Sequence, residues 1–297
     1  MSKAVQDDST DMLSAEGLAT LVRLLAANAR ARVARADIDG RHVWIKRYDV
    51  ERQPFGKLLH RAISPLLPVF LRSSRAAPGS LGVERERRKM NLFREAGLPV
   101  ADIVFGNEAV LVLSDVGRVA QARLGDLHAA DPAAHDALLV TLAEGLGDAH
   151  RAGLCHGRPH PRDMFLPDPA KGDGRVGFLD FEEEPEAVMP LAMAQARDLW
   201  LLFLQITARA ISPDTPAHAF AAYHGAAPPA VLPPLARLVA FFHRWLTPLR
   251  LLPETLLGKD ALYAVKATSF LKNALDAGPA SAPSLQATGH ERPRGQS

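Results

Sequence analysis

Two aspartates, Asp163 and Asp180, stand seventeen residues apart, and the chain between them has the layout of a short hairpin. Met-Phe-Leu follows the first, Arg-Val-Gly-Phe-Leu precedes the second, and the polar run Pro-Asp-Pro-Ala-Lys-Gly-Asp-Gly separates them. Two strands around that turn would bring both carboxylates out on the same side of the hairpin. A carboxylate pair is a set of hard oxygen donors of the kind magnesium takes. Phosphoryl transfer needs such an ion, a cation on the phosphates and a group that positions the nucleophile. Other residue types that this chemistry uses lie nearby or upstream. His156, Arg158 and His160 immediately precede Asp163, Lys46 closes the run Val43-Trp44-Ile45, and Glu86 stands eleven residues before Gly97.

Regular elements must position these groups. Residues 11 to 30 carry Leu13, Leu18, Leu21, Leu24 and Leu25 at a helical period. The segment from Val33 to Lys46 reads as a hairpin around Asp39-Gly40, a strong two-residue turn signal. Val43 and Ile45 alternate with His42, Trp44 and Lys46, so Lys46 is expected near a strand end, on the face opposite Val43 and Ile45. The next stretch, with Pro65 and Pro68, is too broken for one long helix. It reads either as a buried connection or as an interfacial element, with leucines in a headgroup layer and Lys57, Arg61, Arg72 and Arg75 toward anionic lipid. A charged helix follows, with Val83, Met90 and Phe93 inward and Gly97 as its stop. Leu98–Phe105 and Ala109–Gly117 read as strands, and the chain is then mostly helical to about Asp276 apart from the Asp163–Asp180 hairpin. The order is α+β in two lobes rather than an alternating βαβ sheet. Residues 1–116 form the expected first lobe, 117–277 the helical second lobe, and 278–297 a polar Pro/Gly/Ser-rich tail with the composition of disorder.

Length and composition agree. The 297 residues can bury one large core or two modest lobes sharing a cleft. A single cysteine, Cys155, excludes an intramolecular disulfide and a cysteine-based zinc cluster, which makes a cytoplasmic setting the expectation. The start lacks the basic-then-apolar layout of a secretory signal, and no long apolar run reads as a spanning helix. Net charge is +2, yet Arg41 to Arg94 holds 13 Lys/Arg against 4 Asp/Glu, an excess of nine, which leaves −7 for the remainder. That asymmetry implies an anionic partner for one face. No aromatic platform motif accompanies it, so nucleic acid is not expected.

The stretch Ala149–Leu166, followed by Arg175–Pro185, resembles the catalytic region of kinase-like phosphotransferases, written H-G-D-x-H-x-x-N with an Asp-Phe-Gly element beyond a short hairpin. His156, Gly157 and His160 match that pattern, while Asp163 stands for the metal-binding Asn and Asp180-Phe181-Glu182 for Asp-Phe-Gly. More narrowly, Val43–Asp49, the basic insert, the Glu84–Val100 helix and His156–Leu166 resemble the bacterial lipopolysaccharide core kinases, the Kdo and heptose kinases and their relatives. The resemblance implies a two-lobed kinase-like fold, use of ATP and magnesium, work at the inner face of the cytoplasmic membrane, and a sugar-hydroxyl or protein acceptor. It implies that Asp163 and Asp180 hold the metal and that Lys46 contacts the phosphates. Glu86, with Glu84 as the alternative, would pair with Lys46. Asp198 would support the loop backbone.

Two departures stand out. No G-x-G-x-x-G loop precedes Lys46, and Arg158 occupies the place of the catalytic aspartate. A guanidinium cannot accept a proton from a hydroxyl. Arg158 is expected to project toward Asp163 and Asp180, to lower their pKa, and to leave Asp163 as the nearby proton acceptor. A shifted register would make Asp163 the base and bring Asp168-Pro169 to the metal position, but proline starts a strand poorly. Singly, each residue has a plainer meaning. A strand-end lysine is commonly a solvated charge, the acids after Phe181 an acidic loop, and His156 and His160 structural. Their order favours a phosphotransferase, with a catalytically impaired nucleotide- or partner-binding relative as the alternative.

Overall fold

Asp39 and Gly40 both adopt positive φ, 52° and 71°, the turn whose twist matches that of paired antiparallel strands. It joins β1 (Val33–Ile38) to β2 (Arg41–Arg47), with Val33 opposite Lys46. The computed structural model describes residues 13–49, 70, 72, 79–168, 174–248 and 258–277. Helix α1 (Ala15–Ala27) is shorter than the leucine pattern and is fastened to the turn by Ser14. The Ser14 hydroxyl accepts from the Gly17 amide at 2.9 Å and donates to Asp39 at 2.6 Å.

Strands β3 (Ile103–Gly106) and β4 (Val110–Ser114) complete a sheet in the order β1-β2-β4-β3. Alternation along β2 and β4 separates two faces. Val43, Ile45, Val110 and Val112 bury one face together with Leu21. Leu111, opposite Lys46 in register, packs on the other with Val83 and Tyr48. That second face receives α2 (Ser80–Glu95), which buries Glu86 and Lys89 beside the expected Val83, Met90 and Phe93. Gly97 ends it at φ 73°, with the Leu98 amide donating back to Phe93 O at 2.9 Å. The strand expected from Leu98 begins only at Ile103. Before it, Val100 bridges to Phe178 in a second sheet.

The larger half contains α3 (Ala120–Ala130), α4 (Pro132–Arg151), α5 (Leu191–Arg209), α6 (Thr215–Ala226), α7 (Leu232–Leu246) and α8 (Lys259–Ala277). They enclose an apolar core that includes Leu139, Leu142, Leu146, Leu202 and Phe203, all fully buried. Each buried leucine or phenylalanine side chain stabilises by about 1.5–3 kcal/mol. The expected hairpin is β5 (Met164–Phe165) paired with β6 (Gly177–Phe178). The stretch 57–75 lies outside the described residues except for Phe70 and Arg72, and the tail 278–297 lies outside them entirely. The Phe70 ring packs 4.9 Å from Phe241 of α7. Among the described residues no helix is long and apolar enough to cross a membrane.

Candidate active site

Period-2 alternation turns Lys46 inward beneath the sheet, where it is 7% exposed. Its Nζ donates to Glu86 at 2.7 and 3.0 Å and to Asp180 at 2.7 Å, and pairs with Glu182 at 2.8 Å. Burial opposes the ammonium charge, but the carboxylates of Glu86 and Asp180 outweigh it and hold the Lys46 pKa above its usual value. Tyr48 donates its hydroxyl to the same Glu86 carboxylate. Glu84 faces solvent on the other side of α2 and is not the partner. Asp180 takes φ 64°, an uncommon backbone for a residue with a side chain. Its carboxyl is held below the usual range, since Lys46 overcomes the effect of burial.

The loop that carries Arg158 is fixed from behind. Asp198 of α5 is fully buried and accepts the amides of His156 at 2.7 Å and Gly157 at 3.0 Å, with Cys155 Sγ at 3.2 Å. This is the supporting geometry expected of it. His156 is turned toward the backbone. It is 1% exposed, its Nε2 bonds the Leu179 carbonyl at 2.8 Å, and its Nδ1 accepts from the Arg158 amide at 3.3 Å. Both ring nitrogens are committed to backbone and burial depresses the pKa, so His156 positions the loop and has no free nitrogen for proton transfer. His160 accepts from the Arg162 amide at 3.1 Å at the head of a single turn, Pro161–Asp163. Its pKa falls to about 4, by burial and then by the neighbouring arginines.

Asp163 ends that turn, and its carbonyl accepts from the Leu179 amide at 2.8 Å, so the two aspartates are tied across the hairpin. Strand β5 starts directly after it, as the match of Asp163 to the metal-binding Asn requires, while Asp168 of the shifted register is exposed. Arg158 reaches toward Asp180, Nη2 to Oδ2 3.9 Å, and Arg162 toward Asp163 at 3.3 Å. Arg158 lowers the Asp163 pKa, as expected, but is outweighed. Burial first, and the Asp180 charge second, push its pKa up to about 7 against both arginines. Oxygen donors for a hard cation are present. Glu86, Asp180 and Glu182 offer oxygens within 4.8 Å of one another, a group that shares only Asp180 with the expected pair. Asp163 and Asp180, the expected pair, are carboxylates of the kind magnesium takes.

The acids after Phe181 were legible only as an acidic loop, yet each has a cation. Glu182 binds Arg32 and Lys46, Glu183 pairs with Arg197 at 3.1 Å, Glu184 with Arg85 at 3.2 Å, and Glu186 with Lys89 at 3.0 Å. For Glu184 and Glu186, whose cations Arg85, Arg88 and Lys89 lie in one basic run, the match of the two runs is a signal in the sequence.

A buried lysine–glutamate pair between an antiparallel sheet and a helix, an aspartate beyond a short hairpin, and a buried aspartate holding the intervening loop define the kinase-like fold of phosphotransferases. The model of the lipopolysaccharide kinase (Kdo/WaaP) family matches residues 68–223, more than half of the chain, and the protein belongs to that family. A search of curated proteins found no match. Similar solved structures include the MAP kinase LmaMPK10 from Leishmania major, 15% identical, covering 88% of this chain and 85% of that one with a TM-score of 0.35. Another is the Rio2 kinase from Chaetomium thermophilum, 14% identical, covering 88% of this chain and 80% of that one with a TM-score of 0.32.

Proposed function

We propose that the protein is an ATP- and magnesium-dependent phosphotransferase of the lipopolysaccharide-kinase type, acting on a sugar or protein hydroxyl near the inner membrane. The carrying observation is Lys46, whose Nζ lies 2.7 Å from both Glu86 and Asp180. A buried ammonium whose pKa its carboxylates hold above the usual value suits the α- and β-phosphates of a nucleotide between residues 1–116 and 117–277. Glu86 orients Lys46, Arg158 offers charge to the transferred group, and Asp163 takes the proton of the acceptor hydroxyl as its oxygen bonds phosphorus and the leaving oxygen departs. Asp163 and Asp180 would hold magnesium, which would supply positive charge to the phosphates.

Arg158 favours a second function, nucleotide binding without transfer, because the position that carries an acid in active relatives has none. Purified protein should bind ATP only with magnesium, and Lys46→Met should abolish that binding. Binding that survives in Lys46→Met would remove the nucleotide function. Turnover near ordinary kinase rates, about 1–100 per second, would establish transfer. The transfer-deficient function predicts little turnover in the natural protein and no further loss in Arg158→Asp/Asp163→Asn. Peripheral attachment through residues 57–75 predicts binding to anionic vesicles that weakens with salt, and equal binding to neutral vesicles would dismiss it.

A further inference from the structure

Lys89 stands one turn beyond Glu86 on the same face of α2 and is 3% exposed. Its Nζ donates to the carbonyls of His156 at 3.1 Å and Glu183 at 2.9 Å, and pairs with Glu186 at 3.0 Å. All three donors of one ammonium are thus directed at chain outside its own helix. One goes to the loop that carries Arg158. Two go to the strap, residues 182–190, that joins Phe181 to α5. Loop and strap touch closely. Gly157 has φ 105°, and a Cβ there would lie 2.7 Å from the Glu183 carbonyl oxygen. Arg85 of α2 adds a bond to the Glu182 carbonyl at 3.1 Å, and Arg197 anchors Glu183 to α5. Beside this polar junction, the Phe181 ring packs at a tilt against Phe93 at 4.7 Å and His156 at 5.3 Å.

We propose that Lys89 is a positioning residue: it locks α2 to the loop through the acidic strap, holding Glu86 on Lys46 without any modification of the chain. In protein kinases the corresponding alignment is what activation-loop phosphorylation and helix position control. Here the added negative charge is encoded, as Glu184 and Glu186 facing Arg85 and Lys89. The geometry stands without the proposed function. Its consequence for nucleotide affinity rests on that function.

The test uses the full chain with Lys89→Met, read first by backbone hydrogen exchange without ligand. Exchange should rise roughly tenfold or more, together, in peptides from α2, the 154–158 loop and the 181–188 strap, while α6 is unchanged. A rise confined to α2, or spread evenly into α6 and α7, would overturn the lock. The second readout is magnesium-ATP affinity by calorimetry. Lys89→Met should weaken it about tenfold in the natural background and less than about twofold in Glu86→Gln, since both changes remove one alignment. Equal losses in the two backgrounds would show that Lys89 does not act through Glu86. Should Lys89→Met fail to fold, Glu186→Gln removes only the carboxylate end and should give the same pattern at about threefold. If the natural protein binds no magnesium-ATP, the proposed function fails, and the exchange pattern alone decides the lock.

Discussion

At one end of the site a lysine is held by three carboxylates and nearly excluded from solvent. At the other an arginine, 42% exposed, stands 3.9 Å from Asp180. The first arrangement is a closed electrostatic unit, because each charge is the reason its neighbours can be buried. The second is open. The loop beneath Arg158 takes its shape from Asp198, His156 and Gly157, all of which act on backbone atoms. Residue 158 can therefore exchange an acid for a guanidinium without disturbing the fold. Scaffold and proton chemistry are separable in this loop, whereas at Lys46 they are the same bonds.

The largest test of that contrast is Lys46→Met against Arg158→Met. The first leaves Glu86 buried without its cation and should cost about 3–5 kcal/mol in urea unfolding. The second removes a half-exposed charge and should stay within about 1 kcal/mol. Similar losses would break the comparison. Next comes Asp198→Ala, which orphans the buried amides of His156 and Gly157 and should cost about 3 kcal/mol. Asp198→Asn, which keeps one acceptor oxygen, should cost less, and unchanged unfolding in both would detach the loop from α5.

The proton equilibrium of Asp163 gives a smaller, pH-dependent effect. Its carboxyl is raised to about 7 in the folded chain from an ordinary value of 3.8. Between those values the folded state binds the extra proton, so stability falls as pH rises from about 4 to 7 and then levels, by at most about 1.4 kcal/mol per pH unit. Asp163→Asn should remove that slope in unfolding measured across the window. The persistence of the slope would assign it elsewhere. Asp180 is shifted the other way, and its stabilisation is lost only as pH falls below about 4. Smallest is Arg162→Ala. Its pair with Asp163 is half-exposed on the arginine side, so stability should change by about 0.5 kcal/mol or less. The Asp163 step should move to higher pH, because Arg162 opposes the rise. A step moving down would contradict the pairing.

Much of this architecture was written locally. The Asp39-Gly40 turn, the inward face of β2 with Lys46, the inner stripe of α2 and the hairpin between Asp163 and Asp180 follow from turn chemistry and from periods of two and 3.6 residues. These depend on neighbours a few positions away, so a single sequence carries them. Asp198 and the Lys46–Glu86 pair were reached through the order of motifs rather than any local signal. The family resemblance lay in that same order. Which distant charges meet is settled by packing alone. Glu182 joins Lys46 from 136 positions away by residue number, and Lys89 finds Glu183 across a separation of 94. His156, which the motif order could not orient, is turned into the scaffold with both nitrogens bonded to backbone. Ion-pair partners and ring orientations are chosen by how helices and loops pack, and packing leaves no periodic trace in the chain that undergoes it. The elements and the order of the reacting groups thus follow from local pattern in the chain. The closed charge cluster at Lys46, the strap on α2 and the rise of the Asp163 pKa exist only where folding removes those groups from water and brings them together.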